Sequence, residues 1–439
     1  MAQLNVRYRV TAETHGGKPA FGHLTPIQQL RRSVLSCLLW ESEFYEDGRS
    51  IADRISETAK AVSAADLSKL IVEARTVHNL RHVPLLLLTS LVRKGGGRII
   101  GDTIEQTIQR ADELGEFLTL YWRNGKTPIA KQVKIGLARA LRKFDAYALA
   151  KYDREKAIRI RDVLFLVHAK PKDDEQAALW KQLAEGALES PDTWEVQLSA
   201  GADKKETWTR LLIQNKLGYL ALLRNLRNMT EVGVDEPLIR DRLLARKGAQ
   251  RVLPFRYVAA ARACPRMEPT LDQALSEAIS ELPPLPGKTI VLVDVSGSMN
   301  EKLSGKSDLT RMDAAAALAS LIHGDLRMFS FSNSLVEVPP RRGMAGVDAI
   351  LKSQQHGGTA LAGAVQAVNS MPHDRLIVVT DEQATDRAVP QPTAKHAYMV
   401  NVASYKNGVG YGRWTHLDGF SEGIIRWIYA AEHDAEAAR

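Results

Sequence analysis

The segment Lys288-Thr-Ile-Val-Leu-Val-Asp-Val-Ser-Gly-Ser-Met299 decides the fold of the C-terminal part of the chain. Its first half is an unbroken apolar run, typical of a strand buried on both faces of a parallel sheet. Its second half places a carboxylate and two hydroxyls directly after that strand, at Asp294, Ser296 and Ser298. The segment therefore predicts a ligand site at the carboxyl end of a buried strand.

Predicted strands and helices alternate after this segment. We predict strands over 289–295, 327–331, 376–380 and 397–402, and helices over 311–323, 359–369 and 421–431. The alternation indicates a doubly wound α/β domain, in which the carboxyl ends of parallel strands share one edge. Thr359 begins a helix and Asp381 follows a strand, so both are expected at that edge.

The oxygen-bearing side chains at this edge predict a metal site. The expected ligands are Asp294, Ser296, Ser298, Thr359 and Asp381. Carboxylates and hydroxyls favour Mg²⁺, with Mn²⁺ or Ca²⁺ as alternatives, over zinc. The competing interpretation is a hydroxyl-rich turn that caps a helix. The neighbouring Glu382 is expected to face solvent.

The motifs of an enzyme are missing from the sequence. Ser298 has neither a histidine base nor a GxSxG context, and no GxxxxGK[ST] phosphate loop occurs. We therefore expect a binding protein and not an enzyme.

Residues 25–280 predict helices almost throughout. Leu67, Leu70, Ile71 and Ala74 form one apolar face, and glycine or proline separates similar segments elsewhere. Many short helices indicate an α-solenoid. The proline-rich segment 282–287 marks a boundary. We therefore predict an N-terminal arm over 1–20, a helical domain over 21–282, a linker over 283–287 and the α/β domain over 288–439.

The net charge of +8 is concentrated in one window of the helical half. Residues 123–172 contain 14 Lys and Arg but only 4 Asp and Glu, whereas residues 286–439 contain 15 and 16. Such a patch favours a polyanion, with nucleic acid first. A solvated helix face is the competing interpretation. Tyr121, Trp122 and Tyr152 are candidate stacking platforms, although core packing is the more common role of such residues.

Two cysteines and the hydropathy pattern exclude several classes of protein. Cys37 and Cys264 lie far apart without partners at ligand spacing, which disfavours a disulfide framework or a zinc site. Residues 1–10 do not resemble a signal peptide, and the apolar stretch 83–92 is shorter than the ~20 residues of a spanning helix. We expect a cytoplasmic protein that does not bind membranes.

Several motifs resemble a known family. The Asp-x-Ser-x-Ser, Thr359 and Asp381 set is similar to the metal-ion-dependent adhesion site of von Willebrand factor A domains. Segments 30–48, 162–171 and 221–229 resemble the helical TROVE domain of the Ro family, particularly its bacterial members. Together these motifs extend the resemblance over about residues 21–428.

The resemblance implies a HEAT-like α-solenoid ring whose ends are joined by the von Willebrand A domain. It implies an RNA-binding scaffold that takes small structured Y-like RNA on its basic outer surface and single-stranded 3′ ends of misfolded RNA in the ring. It further implies RNA processing or quality control, an exoribonuclease partner and a monomer. The alternative is a metal-dependent protein-interaction module without an RNA function.

The resemblance also selects residues. His168 matches an RNA-contacting histidine of the family, and Lys151 begins a Lys-Tyr-x-x-Arg stretch in which Glu155 replaces the arginine. Basic residues of the same window complete the set. The predicted RNA-binding residues are Lys131, Lys134, Arg139, Arg142, Lys143, Lys151, Arg154, Lys156, His168 and Lys170.

Overall fold

The computed structural model describes residues 25–35, 48–153, 155–252, 255–281, 284–302, 309–385, 388–403, 408–409, 412–419, 424–425, 428–429 and 432. These residues form two compact units. The helical unit comprises Ala52–Val252 and Ala260–Ala274, and the α/β unit comprises Met1–Ile51, Leu253–Ala259 and Leu275–Arg439. The boundaries predicted for the arm, the domains and the linker, and the closure of a ring, stay predictions.

Sixteen helices precede the first strand in the part of the chain that is described. They are α1 Pro26–Leu35, α2 Gly48–Lys60, α3 Ala64–Thr76, α4 His82–Lys94, α5 Arg98–Thr107, α6 Asp112–Tyr121, α7 Lys131–Leu141, α8 Ala146–Tyr152, α9 Ile160–Val167, α10 Asp174–Glu185, α11 Trp194–Ser199, α12 Lys204–Ile213, α13 Tyr219–Glu231, α14 Glu236–Leu244, α15 Phe255–Ala263 and α16 Glu268–Ser280. Among the described residues, no helix is both long and apolar enough to cross a bilayer.

The helical unit is a two-layered solenoid. Helices α3, α5, α7 and α9 pack side by side in one layer, and α4 and α6 pack together in the other. The apolar face predicted on α3 is confirmed, since Leu67, Leu70, Ile71 and Ala74 are all buried. Ser63 begins α3 as a side-chain cap, accepting a hydrogen bond from the amide of Asp66. The predicted α-solenoid is confirmed.

A close approach of two helices fixes the position of α7. A Cβ added to Gly136 would lie 2.8 Å from the carbonyl oxygen of Gly101 in α5, too near for any other residue. Val133, Leu137, Ala140 and Leu141 bury the same side of α7. The opposite side of α7 is therefore left for exposed and basic residues.

The α/β unit is built on one six-stranded sheet. Its strands are β1 Leu285–Asp294, β2 Gly324–Phe331, β3 Leu335–Val338, β4 Arg375–Thr380, β5 His396–Asn401 and β6 Thr415–Asp418. Their order is β3-β2-β1-β4-β5-β6, and only β3 is antiparallel to its neighbour. Because β2 and β4 lie on opposite sides of β1, the sheet has a topological switch point beside β1.

Helices cover both faces of this sheet. They are α17 Arg311–Ala319, α18 Gly343–Leu351 and α19 Leu361–Asn369. Helix α19 packs on the face that carries Ile290 and Leu292 of β1. Helix α17 packs on β1 and α18, and all of its residues are buried. The predicted doubly wound α/β fold is confirmed.

Some elements differ from the sequence prediction. Strand β1 begins at Leu285, within the predicted linker, because the amide of Leu285 donates to the carbonyl of His323 and the register then shifts before Lys288. Strands β3 and β6 and helix α18 were not predicted. Most of the predicted helix 421–431 lies outside the described residues; 424–425 and 428–429 are helical.

Candidate metal site and nucleic-acid interface

The predicted metal ligands converge at the carboxyl edge of the sheet. Asp294 ends β1, Asp381 follows β4, and both side chains are fully buried. The backbone amide of Ser296 donates to Asp294 Oδ1 at 2.9 Å, and the hydroxyls of Ser296 and Ser298 lie 3.3 Å apart. The structure thus brings the first strand, its loop and the end of β4 together.

Backbone hydrogen bonds attach the Thr359 loop to this edge. The amide of Gly297 donates to the carbonyl of Gly357 at 2.7 Å. On the other side, the amide of Thr359 donates to Thr385 Oγ1 at 3.0 Å, and the amide of Thr385 donates back to the Thr359 carbonyl. Thr359 is therefore held between the loops that carry Ser298 and Asp381.

The electrostatics of the site favour a cation. Burial first, and then the negative charge of Asp381, raises the pKa of Asp294 above the usual range of an aspartic acid. Hydrogen bonds from Ser296 and from Thr380 Oγ1 at 2.6 Å oppose this shift only in part. Two buried carboxylates surrounded by hydroxyls form the hard oxygen set that Mg²⁺ prefers.

Sequence reasoning missed the residues that support the Thr359 loop. Asn333 Oδ1 accepts from the amide of Gly358 at 2.8 Å, and Ser332 Oγ accepts from the amide of Gly357 at 2.7 Å. A Cβ at Gly357 would lie 2.2 Å from Asn333 Nδ2, which explains the glycine. The polar Ser-Asn-Ser sequence directly after β2 was the available signal.

Glu382 was expected to face solvent, and this expectation was wrong. The chain turns after β4, so that Glu382 has φ +58° and a fully buried side chain. His416 Nε2 lies 3.0 Å from Glu382 Oε1 and 2.9 Å from Asp418 Oδ1. Asn401 Nδ2 also donates to Asp418 at 2.8 Å. This buried network orients the segment that begins with Asp381.

Six of the ten predicted RNA-binding residues line one cavity of about 550 Å³ in the helical unit, here named the α7 cavity. Helix α7 and the end of α9 form its walls. The basic lining residues are Lys131, Lys134, Arg139, Arg142, His168 and Lys170, and the apolar ones are Ile129, Ile135, Ala138 and Val167. None of the described residues that line this cavity carries a carboxylate.

Most cations of the α7 cavity are not neutralised. Arg139 Nη1 lies 2.7 Å from Asp102 Oδ1 and 3.6 Å from Glu105 Oε2, so its charge is shared. Within the ranges that the structure describes, Lys131, Lys134, Arg142 and Lys170 have no carboxylate at salt-bridge distance. A cluster of cations of this kind attracts phosphates.

Backbone geometry adds to the positive potential of the cavity. Helix α7 begins at Lys131 with neither a side-chain cap nor an acidic residue in its first turn, so its amides offer partial positive charge. His168 ends α9 in the left-handed conformation, at φ +53°, and its side chain is exposed. The imidazole is therefore presented beside Lys170.

Lys143 is not part of this cavity. Its Nζ donates to the backbone carbonyls of Glu105 and Ile108, which lie three residues apart at the end of α5. Burial lowers the pKa of Lys143. Lys143 thus caps a helix end outside the α7 cavity, and its contact with RNA stays a prediction.

Lys151 and Lys156 line a second, larger cavity of about 1320 Å³ in the same unit. Lys156 Nζ lies 3.1 Å from Glu116 Oε1, and Lys151 Nζ lies 5.6 Å from the ring centre of Tyr147. Asp112, Glu116 and Glu195 also line this cavity, so its charge is mixed. Arg154 lies outside the described residues, and Glu155 pairs with Arg159.

The candidate stacking residues have other contacts. Tyr121 donates its hydroxyl to the carbonyl of Pro128, and Trp122 Nε1 donates to the carbonyl of Thr127 at 2.7 Å. Both side chains therefore stabilise the loop that precedes α7. Tyr152 lies under the guanidinium of Arg110, 4.6 Å from the ring centre.

Comparisons with known proteins agree with this architecture. The TROVE domain family matches residues 177–317. Telomerase protein component 1 of Mus musculus is 26% identical over 223 residues, and that of Rattus norvegicus is 28% identical over 143 residues. These segments cover 46% and 30% of this chain but only 8% and 5% of the mouse and rat proteins.

A solved structure resembles almost the whole chain. The crystal structure of the Deinococcus radiodurans RO (RSR) protein matches with a TM-score of 0.59 and 19% identity, covering 93% of this chain and all of that one. The family match covers about a third of the chain, and the structural match shows the fold, in which a helical solenoid is combined with a von Willebrand A-like α/β unit. The predicted resemblance to the Ro family, and to its bacterial members, is confirmed.

Proposed function

We propose that this chain is an RNA-binding scaffold of a ribonucleoprotein. The α7 cavity carries the proposal. Among the residues that the structure describes, it gathers basic side chains without a lining carboxylate, and four of its cations have no carboxylate partner. Phosphate contacts provide much of the affinity of proteins for nucleic acid. The TROVE match and the Ro-like fold support the same role, and the curated relatives are named as protein components of telomerase.

The finer proposal concerns the kinds of RNA. The α7 cavity is suited to a small structured, Y-like RNA, with phosphates held by Lys131, Lys134 and Arg142. The larger cavity combines cations with Tyr147 and Trp194, which supports a site for single-stranded 3′ ends of misfolded RNA. RNA processing or quality control, an exoribonuclease partner and a monomeric ring belong to the same proposal.

Charge reversal tests the RNA proposal. Lys131→Glu with Lys170→Glu removes two exposed cations of the α7 cavity without removing a buried contact. The matched control, Lys204→Glu with Lys205→Glu, makes the same change of charge at exposed positions of α12. We expect binding of a structured RNA hairpin to weaken at least tenfold in the cavity variant, with a salt slope reduced by about 1.5 to 2. Equal weakening in both variants would contradict a specific site.

We also propose that Asp294, Ser296, Ser298, Thr359 and Asp381 hold one Mg²⁺ ion, with Mn²⁺ or Ca²⁺ as alternatives. The buried carboxylate pair supports this proposal. Bound metal would present an acceptor for a carboxylate of an acidic protein partner. Metal-dependent protein docking is therefore the second candidate function, and a protein without RNA affinity that still binds Mg²⁺ at this edge would favour it.

A further inference from the structure

The cations of the α7 cavity form a stripe along one helix face. The cations Lys131, Lys134 and Arg142, with Ala138 between the last two, follow at intervals of three and four residues. This spacing places them on one side of α7. From the first to the last of them the helix rises about 16 Å. A stripe of this length is long enough to contact more than one phosphate of a nucleic-acid strand.

Apolar surface lies among these cations. Ile129, Ile135 and Ala138 are half-buried, whereas Lys131, Arg142, His168 and Lys170 are exposed. The apolar side chains therefore form the deeper part of the cavity, and the cations surround it. A surface that contacted only phosphates would gain nothing from apolar residues, but unstacked bases bury their faces on such surface.

We infer that the α7 cavity binds a short unpaired stretch of RNA, with the bases on Ile129, Ile135, Ala138 and Val167 and the phosphates on the cationic stripe. This inference rests on the proposed RNA-binding function. The volume of about 550 Å³ lies within the range of roughly 300–1,000 Å³ that is usual for ligand pockets. In a duplex the bases are stacked inside the helix and only backbone and groove edges are accessible.

His168 supplies a polar group at the edge of this site. Its ring is exposed, lines the cavity and is held by the left-handed end of α9. An imidazole both donates and accepts hydrogen bonds, so it matches the edges of unpaired bases. The stretch inferred here is an unpaired part of the structured RNA, separate from the 3′ ends of misfolded RNA that are proposed for the larger cavity.

The test compares a short labelled oligouridylate with a blunt-ended RNA duplex of the same number of phosphates. Ala138→Leu fills the apolar part of the cavity and changes no charge, and leucine is well tolerated in a helix. The control Ala178→Leu makes the same change at an exposed position of α10, outside the cavity. We expect Ala138→Leu to weaken oligouridylate binding about tenfold and to leave duplex binding within about twofold of wild type. The control should bind both probes like wild type.

The outcomes separate this inference from the proposed function. If Ala138→Leu binds both RNAs like wild type, or weakens both equally, the site for unpaired bases is wrong. The charge-reversed variant Lys131→Glu with Lys170→Glu should weaken both RNAs. If the charge-reversed variant binds both RNAs more weakly, but Ala138→Leu does not distinguish the oligouridylate from the duplex, the proposed RNA binding stands and only this inference fails. If it weakens neither, the proposed function itself fails.

Discussion

Asp294 and Asp381 lie at the carboxyl ends of neighbouring parallel strands, and the charge of Asp381 helps to raise the pKa of Asp294. Burying two like charges destabilises the fold unless a cation compensates them. Hydrogen bonds hold the surrounding loops together, so the proposed ligands are already arranged close to one another. The site therefore resembles a preorganised receptor for a hard cation.

Replacing Asp294 should abolish metal binding without loss of the fold. We expect Mg²⁺ to raise the unfolding temperature of wild type and to give one binding event in calorimetry, and Asp294→Asn to show neither effect. Asp348→Asn removes an exposed carboxylate of α18 and should behave like wild type. Identical titrations of wild type and Asp294→Asn would show that the five residues are not the ligands.

Asn333 should affect metal binding although it is not a predicted ligand. Asn333→Ala removes the hydrogen bond to the amide of Gly358 and loosens the loop that carries Thr359. Residues that orient metal ligands typically change affinity by about 10- to 100-fold, so we expect at least a tenfold weaker Mg²⁺ affinity by calorimetry. Ser334→Ala, which removes only a contact with Gln354, is the control. Unchanged affinity in the Asn333 variant would refute this supporting role.

The ionisation of Glu432 should make the free energy of unfolding of the α/β unit depend on pH. Burial raises the pKa of Glu432, but hydrogen bonds from Arg375 and Tyr398 outweigh this effect and leave the pKa below its ordinary value of 4.5. The stabilisation is therefore present above pH 4.5 and is lost as the pH falls through the lowered pKa. Glu432→Gln should lower the free energy of unfolding by about 3 kcal/mol at pH 7.

Urea unfolding at several pH values checks this prediction. The difference between wild type and Glu432→Gln should shrink below pH 4.5. The exposed pair of Arg327 and Glu337 provides a contrast, because Glu337→Gln should change stability little at any pH. A difference that stays constant down to pH 2 would argue against ionisation as its cause.

Lys143 should matter for stability and not for RNA. Lys143→Met removes the hydrogen bonds to the carbonyls of Glu105 and Ile108 and should cost about 1.5 kcal/mol in the free energy of unfolding. RNA affinity of the folded variant should stay within about twofold of wild type, because this side chain does not line the α7 cavity. Strongly reduced affinity with unchanged stability would return Lys143 to the RNA-binding set.

The sequence predicted the elements whose burial is evident from their own residues. Strands β1, β4 and β5 carry continuous apolar runs, and α3 carries its buried residues at a helical period. Helix α18 was missed because it contains Gly343 and Gly346, and Gly346 packs against the carbonyl of Arg341. Strand β3 was missed because it has only four residues at the sheet edge.

The convergence of the proposed metal ligands could be predicted from the sequence, whereas the placement of the basic residues could be predicted only in part. The proposed metal ligands follow strands in the sequence. Because a parallel sheet brings the carboxyl ends of its strands to one edge, the strand prediction alone places these residues together. The direction in which a basic side chain points from a helix depends on the packing of that helix against its neighbours, which the sequence does not show. Arg142 and Lys143 are adjacent in sequence, but only the position of α5 places Lys143 against its carbonyls and leaves Arg142 in the cavity.

The central claim is that the protein binds RNA through the α7 cavity. Crosslinking in the native host, followed by sequencing of the RNA that co-purifies, tests it most directly. Wild type and the control Lys204→Glu with Lys205→Glu should recover an abundant small structured RNA, together with RNAs that have unpaired 3′ ends. Lys131→Glu with Lys170→Glu should lose the structured RNA. Recovery of the same RNA by all three proteins, or no enrichment by wild type, would contradict the account.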